Sequence, residues 1–173
     1  MSSIIKVDQI QLADGSTPTL ADLSISTTGT GKVLQVVQER TSAYVNTSSE
    51  SFTDTGLSAS ITPTSTSSDI LIAVTFFSGK HTTDTSIYLQ IANSSGTRIF
   101  SVVNGFAKTY GTNSNINVGG ASSYIHSPAT TNQLTYKLQI KRANSTTGSV
   151  YLNWYDNASD ETFSTITLME IAG

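Results

Sequence analysis

Few residues in this chain could do chemistry, and their spacing limits what that chemistry could be. His81 and His126 are the two histidines, and imidazole is the side chain best suited to proton transfer or metal ligation near neutral pH. Asp84 lies three residues from His81 and could supply half of a ligand set. No second cluster completes it and the chain has no cysteine, so no metal site is expected. The stretch GTGK at 29–32 lacks the first glycine of a phosphate loop, and Val33 stands where Ser or Thr must reach magnesium. It reads as a flexible joint. Asp156, Asp160 and Glu161 fall together. Paired carboxylates can hydrolyse a glycan, but that needs a cleft a single short sandwich hardly offers, and the group reads as a solvated acidic turn. Serines are everywhere and no nucleophile elbow occurs, so a His–Asp–Ser grouping carries no weight. The expectation is a protein without enzymatic activity or cofactor.

Binding is the better prospect. Tyr88, Tyr110, Tyr124, Tyr151 and Tyr155 fall outside the inferred core. Exposed tyrosine offers rigid, amphipathic contact area at small entropic cost. Tyr110, Tyr124 and Tyr155 are the candidates for contact with a carbohydrate or protein. Nucleic acid is not an expected partner: the formal charge is −3, only 12% of residues are charged, and the basic residues are scattered rather than gathered in a stripe. No apolar run approaches the length of a membrane span. No stretch pairs a basic region with an apolar run as a secretion signal does, so synthesis in a cytoplasm is expected.

The elements that must carry these residues are strands. Roughly a third of the chain is Ser plus Thr, yet 37% is hydrophobic. Thr suits a half-exposed pleated surface and Ser suits turns. Alternation is clean in GLSASIT (56–62), SIYLQIA (86–92), QLTYKLQIKRA (133–143) and SVYLNWY (149–155). KVLQVVQE (32–39) leaves little room for a polar face and is expected to be covered on both sides, and DILIAVTFF (69–77), the most apolar run, is expected to be a central core strand. TFSTITLMEIA (162–172) changes phase, with Ile166 and Leu168 on one face and Met169 and Ile171 on the other; either a bulge lies there or both faces are buried. Between 104 and 128 one or two short strands, near 116–118 and 122–125, and long loops are expected. No segment sustains a helical period. About eight strands at short spacing, separated by turn signals, predict an all-β fold, a β-sandwich or jelly roll. Its core should hold Leu57, Ile61, Ile70, Ile72, Ile87, Leu89, Leu138, Ile140, Leu152, Trp154, Ile166 and Leu168.

The stretches IIKVDQIQLADGSTPTLADL, GTGKVLQVVQ, SFTDTGLSASITPTSTSSDILIAV and FSTITLMEIAG together resemble small virion structural proteins of tailed bacteriophages, notably those of marine bacteria and cyanobacteria. The likeness is to the C-terminal regions of their tail fibres, and residues 104–132 match least. The resemblance implies a homotrimeric β-sandwich at 32–173 displayed on a virion, with residues 1–31 as an N-terminal anchoring arm and Gly-rich joint. Ile4, Ile5, Val7, Ile10 and Leu12 would add to a sheet or groove of another virion protein, and Leu20 and Leu23 would anchor the turn that follows. The rival is that this stretch forms a strand of the sandwich itself. Two functions stay open: a fibre-type appendage contacting a host-surface glycan or protein, and a capsid decoration (cement) protein whose trimers clamp neighbouring capsomers.

Overall fold

Side-chain alternation sets the architecture, because each strand has one face that leaves water only by packing against another sheet. The computed structural model describes residues 15, 17, 31–81, 85–100, 116–143, 147–154 and 162–173; the expected anchoring residues Ile4, Ile5, Val7, Ile10, Leu12, Leu20 and Leu23 lie outside them. Ten strands are described: β1 (Val33–Thr41), β2 (Val45–Thr47), β3 (Thr53–Ile61), β4 (Asp69–Lys80), β5 (Ile87–Asn93), β6 (Arg98–Phe100), β7 (Ile116–His126), β8 (Leu134–Arg142), β9 (Val150–Leu152) and β10 (Ser164–Ile171). No described segment is helical.

The strands form two antiparallel sheets. The smaller runs β3-β8-β5-β6, and the larger runs β1-β10-β4-β9-β2 with β7 also paired to β4. One edge of β4 is shared: β10 pairs with Asp69–Thr75 and β9 with Ser78–Lys80, while β7 follows the other edge from Ile70 to Lys80. β1 and β2 continue that division one strand further out, on β10 and β9 respectively.

The inner faces meet in one apolar core. Leu57 and Ile61 of β3, Ile87, Leu89 and Ile91 of β5, and Leu138 and Ile140 of β8 close on Ile70, Ile72 and Val74 of β4 and on Ile166 and Leu168 of β10. Each such side chain contributes about 1.5–3 kcal/mol of burial before its ordering entropy is set against it. The fold is thus an all-β sandwich, as the alternation predicted. Gly56, at φ +83°, lies within the interruption of β3–β8 pairing between Asp54 and Ser58. The Thr55 hydroxyl there donates to the Leu138 carbonyl at 2.8 Å.

Four expectations are corrected. The strands expected near 116–118 and 122–125 are one eleven-residue strand, β7. Gly119 and Gly120 do not break it, because they sit opposite Phe77 and Phe76. A side-chain carbon on Gly120 would lie 2.6 Å from the Phe76 ring, so the missing side chain is what admits that ring. Tyr88 and Tyr151, expected outside, are 6% and 0% exposed. Trp154, expected in the core, is half-buried and stands beyond β9 among other rings. In β10 the pairing with β4 is regular from Thr165 to Ile171, so no bulge explains the phase change. Glu170 simply takes the inward position between Leu168 and the chain end, with Met169 and Ile171 outward.

Candidate functional site

The outer face of the larger sheet is divided along its length. Cross-strand register puts Val36, Met169, Leu71 and Ile125 in one row over β1, β10, β4 and β7, with Val33 opposite Ile171 beside it. Val36 and Ile125 are each 55% exposed. The next row is Gln38, Thr167, Ala73 and Ser123; the Gln38 amide donates to the Thr167 hydroxyl at 2.9 Å. Thr75 and Thr165 then share a hydroxyl hydrogen bond of 2.7 Å. Beyond them the face becomes aromatic.

The aromatic end is built on a row of Asn46, Tyr151, Gly79 and Asn117 across β2, β9, β4 and β7. Tyr151 and Asn117 flank Gly79 in this row, and the Tyr151 hydroxyl donates to Asn117 Oδ1. His81, just past β4, packs on Tyr151 with ring centroids 4.3 Å apart. Trp154 lies 5.4 Å from His81, edge to face, and 5.3 Å from Tyr151. Tyr44 completes the group at 6.4 Å from Tyr151. The separations of Tyr151 from Trp154 and Tyr44 fall in the range where aromatic pairs gain beyond simple burial. The Tyr44 hydroxyl accepts from Asn46 Nδ2 at 2.9 Å and lies 3.1 Å from His81 Nε2.

One buried residue gathers these rings. Asn153, fully buried at φ +56°, sits where β9 gives way to β10 along β4. Asparagine tolerates this left-handed conformation better than most residues. Its amide donates to the Thr41 and Ala43 carbonyls at 2.9 and 3.2 Å, its Oδ1 accepts from the Ser164 hydroxyl at 2.8 Å, and its backbone N–H donates to the Phe77 carbonyl at 2.7 Å. Ser164 Oγ in turn accepts from Phe77 N–H. Holding Ala43 beside Asn153 brings their chain neighbours, Tyr44 and Trp154, to the same corner.

A second polar knot lies at the opposite end, on the inner side. Glu170 accepts from Gln35 Nε2 at 2.6 Å and from the Thr64 N–H and hydroxyl at 2.6 and 2.7 Å. Burial pushes its carboxyl up, and the hydrogen bonds from Gln35 and Thr64 outweigh that, bringing it to about 2. His126, on the inward phase of β7, pairs with the Tyr136 hydroxyl at 2.8 Å; burial lowers its pKa and raises that of Tyr136. On the smaller sheet, Asp54 takes Lys137 Nζ at 2.8 Å and Gln139 Nε2 at 2.7 Å, and these bonds hold its carboxyl below the usual range.

Of the three tyrosines expected to contact a partner, Tyr110 and Tyr155 lie outside the described residues. Tyr124 is 37% exposed, but it stands opposite Ile72 on the inward phase of β7 and stacks on Phe100 of the smaller sheet at 4.7 Å. One face of its ring is therefore used to join the sheet edges. The acidic group at 156, 160 and 161 and Asp84 also fall outside the description. Tyr44 and Asn46 were missed because Tyr44 lies in the short break between β1 and β2, and β2 itself has only three residues, too few to show a period. Only the exposed-tyrosine criterion could have found Tyr44. Neither the family models nor the curated proteins searched contain a match to this chain.

Proposed function

We propose that this chain is a non-enzymatic structural protein of a phage virion, a fibre-type surface appendage that is fixed at one end and meets the host surface with the other. The sequence resemblance supports the setting. The observation that carries the polarity is the opposite placement of two surfaces on one sheet face. Gly31 N–H donates to the Ala172 carbonyl and Ala172 N–H to the Lys32 carbonyl, which sets Gly31 beside Val33 and Ile171 at the apolar end, where an arm formed by the preceding residues would leave the body. The aromatic end lies eight residues further along β4, from Leu71 to Gly79, or roughly 27 Å at the usual rise of a strand. An arm at the apolar rim would hold the body so that the aromatic end points away. Exposed apolar surface of this kind also suits a fixed protein partner, either the homotrimer that the resemblance implies or a neighbouring virion protein.

The apolar row favours a second reading as well: capsid decoration, in which that surface clamps capsomers. Gold-antibody labelling of intact particles separates the two. Label confined to the tail or its tip supports the appendage; label spread over the head overturns it in favour of decoration. Removal of residues 2–25 should leave a folded body that no longer joins particles, and loss of folding in that variant would refute the anchoring role.

A further inference from the structure

We propose that the aromatic end is a binding platform for a neutral pyranose sugar of a surface glycan, with the sugar's C–H face against the Tyr44 and Trp154 rings and its hydroxyls on Asn46 and Asn117. This rests on the reading above, in which that end faces a target surface.

Ligand class follows from what the platform contains and lacks among the described residues. Tyr44, Asn46, His81, Asn117, Tyr151 and Trp154 include no carboxylate, lysine or arginine. An anionic sugar would normally be met by a cation with several donors. A pyranose without formal charge needs instead an apolar ring face and a few placed hydrogen-bonding groups, the usual composition of a small-ligand site. Both are present. Tyr44 is 47% exposed and Trp154 half-buried. Asn46 and Asn117 are exposed; each uses one amide atom internally, toward Tyr44 and from Tyr151 respectively, and each keeps further amide capacity for a ligand.

Geometry also separates a platform from a cage. Aromatic rings that bind quaternary ammonium groups surround an open space. Here His81, Tyr151 and Trp154 pack on one another at 4.3–5.4 Å, so the space between them is filled by the rings themselves. The platform is preorganised too. Tyr151 is fully buried beneath it, and the Tyr44 hydroxyl is fixed between His81 and Asn46. Little side-chain freedom is lost on binding, which keeps the entropic penalty small.

Trp154 is the only tryptophan in the chain, so its intrinsic fluorescence reports on this site alone. The purified full chain is titrated with cellotetraose, β-1,4-galactotetraose and mannotetraose, with oligosialic acid and choline chloride as charged controls. The expected result is a saturable change in Trp154 emission with at least one neutral oligosaccharide. Tyr44→Ala and Asn46→Ala should each weaken it by about tenfold with an unchanged far-UV circular dichroism spectrum. No saturable change with any neutral oligosaccharide, or a response to oligosialic acid or choline alone, overturns the proposal. So does a response that survives in the Tyr44→Ala/Asn46→Ala double variant. The particle-labelling result is independent of these outcomes: tail label without a sugar response removes the platform and leaves the appendage, whereas head label with a sugar response does the reverse.

Discussion

The two ends of the outer face of the larger sheet are made from the same strands and differ in how they are held. At the apolar end, Val33, Val36 and Ile125 are about half exposed and rest on the sheet without a covering layer among the described residues. At the aromatic end, the Tyr151 ring is wholly buried and the more exposed ones are fixed through it and through Asn153. An exposed apolar row gains most by being covered, as an attachment surface is. A rigid row of rings with amides at its rim is already organised to receive a small ligand. The difference teaches that two surfaces on one sheet can be assigned opposite roles from exposure and internal bonding, before any partner is known.

The largest effect expected from testing that contrast is at Tyr151. Tyr151→Ala should cost about 3–5 kcal/mol, as truncation of a buried aromatic does, measured as a shift of the urea midpoint. Asn153→Ala should follow at about 2–3 kcal/mol, since it strands the Thr41 and Ala43 carbonyls and leaves alanine at a positive φ. If either variant is as stable as the parent, the aromatic end is not the rigid one.

Acid should act on the other end first. Glu170 has its pKa lowered from 4.5 to about 2 on folding. Its contribution is therefore complete above pH 4.5 and is lost as pH falls from there toward 2. His126 is also lowered, from 6.5, so the unfolded chain takes up that proton first and stability begins to fall below pH 6.5. Hydrogen exchange at pH 3 should show the amides of 168–171 losing protection before those of 150–152. Glu170→Gln should flatten the dependence of the urea midpoint on pH below 4.5; an unchanged slope would remove Glu170 from the account.

The smallest effect belongs to the exposed apolar row. Val36→Thr should change the stability of the body by less than about 0.5 kcal/mol, while reducing its binding of an apolar dye. A larger loss of stability would mean that the row is structural and erase the contrast.

Much of the fold was legible because its signal is local. A period of two residues says which side chains share a face, and Leu57, Ile61, Ile72, Leu89, Leu138, Ile140 and Leu168 are buried as that period required. The turn at 93–97 was equally plain, and its reason is local: Asn93 Oδ1 accepts from the N–H groups of Ser95 and Thr97, and Gly96 takes φ +86°. Trp154 misled because alternation was carried one step past the end of β9. There Asn153 turns the chain, and the period no longer applies.

The sequence by itself determined an all-β sandwich, the inward phase of most strands and the positions of its turns, since each depends on residues within a few places of one another. Only the tertiary structure decided that β9 and β10 share one edge of β4, that Glu170 is tied to Gln35 and Thr64, and that Tyr44, His81, Tyr151 and Trp154 meet. These groups come from segments tens of residues apart. What joins them is the register of paired strands, set by the packing of the whole core, and no local pattern carries it.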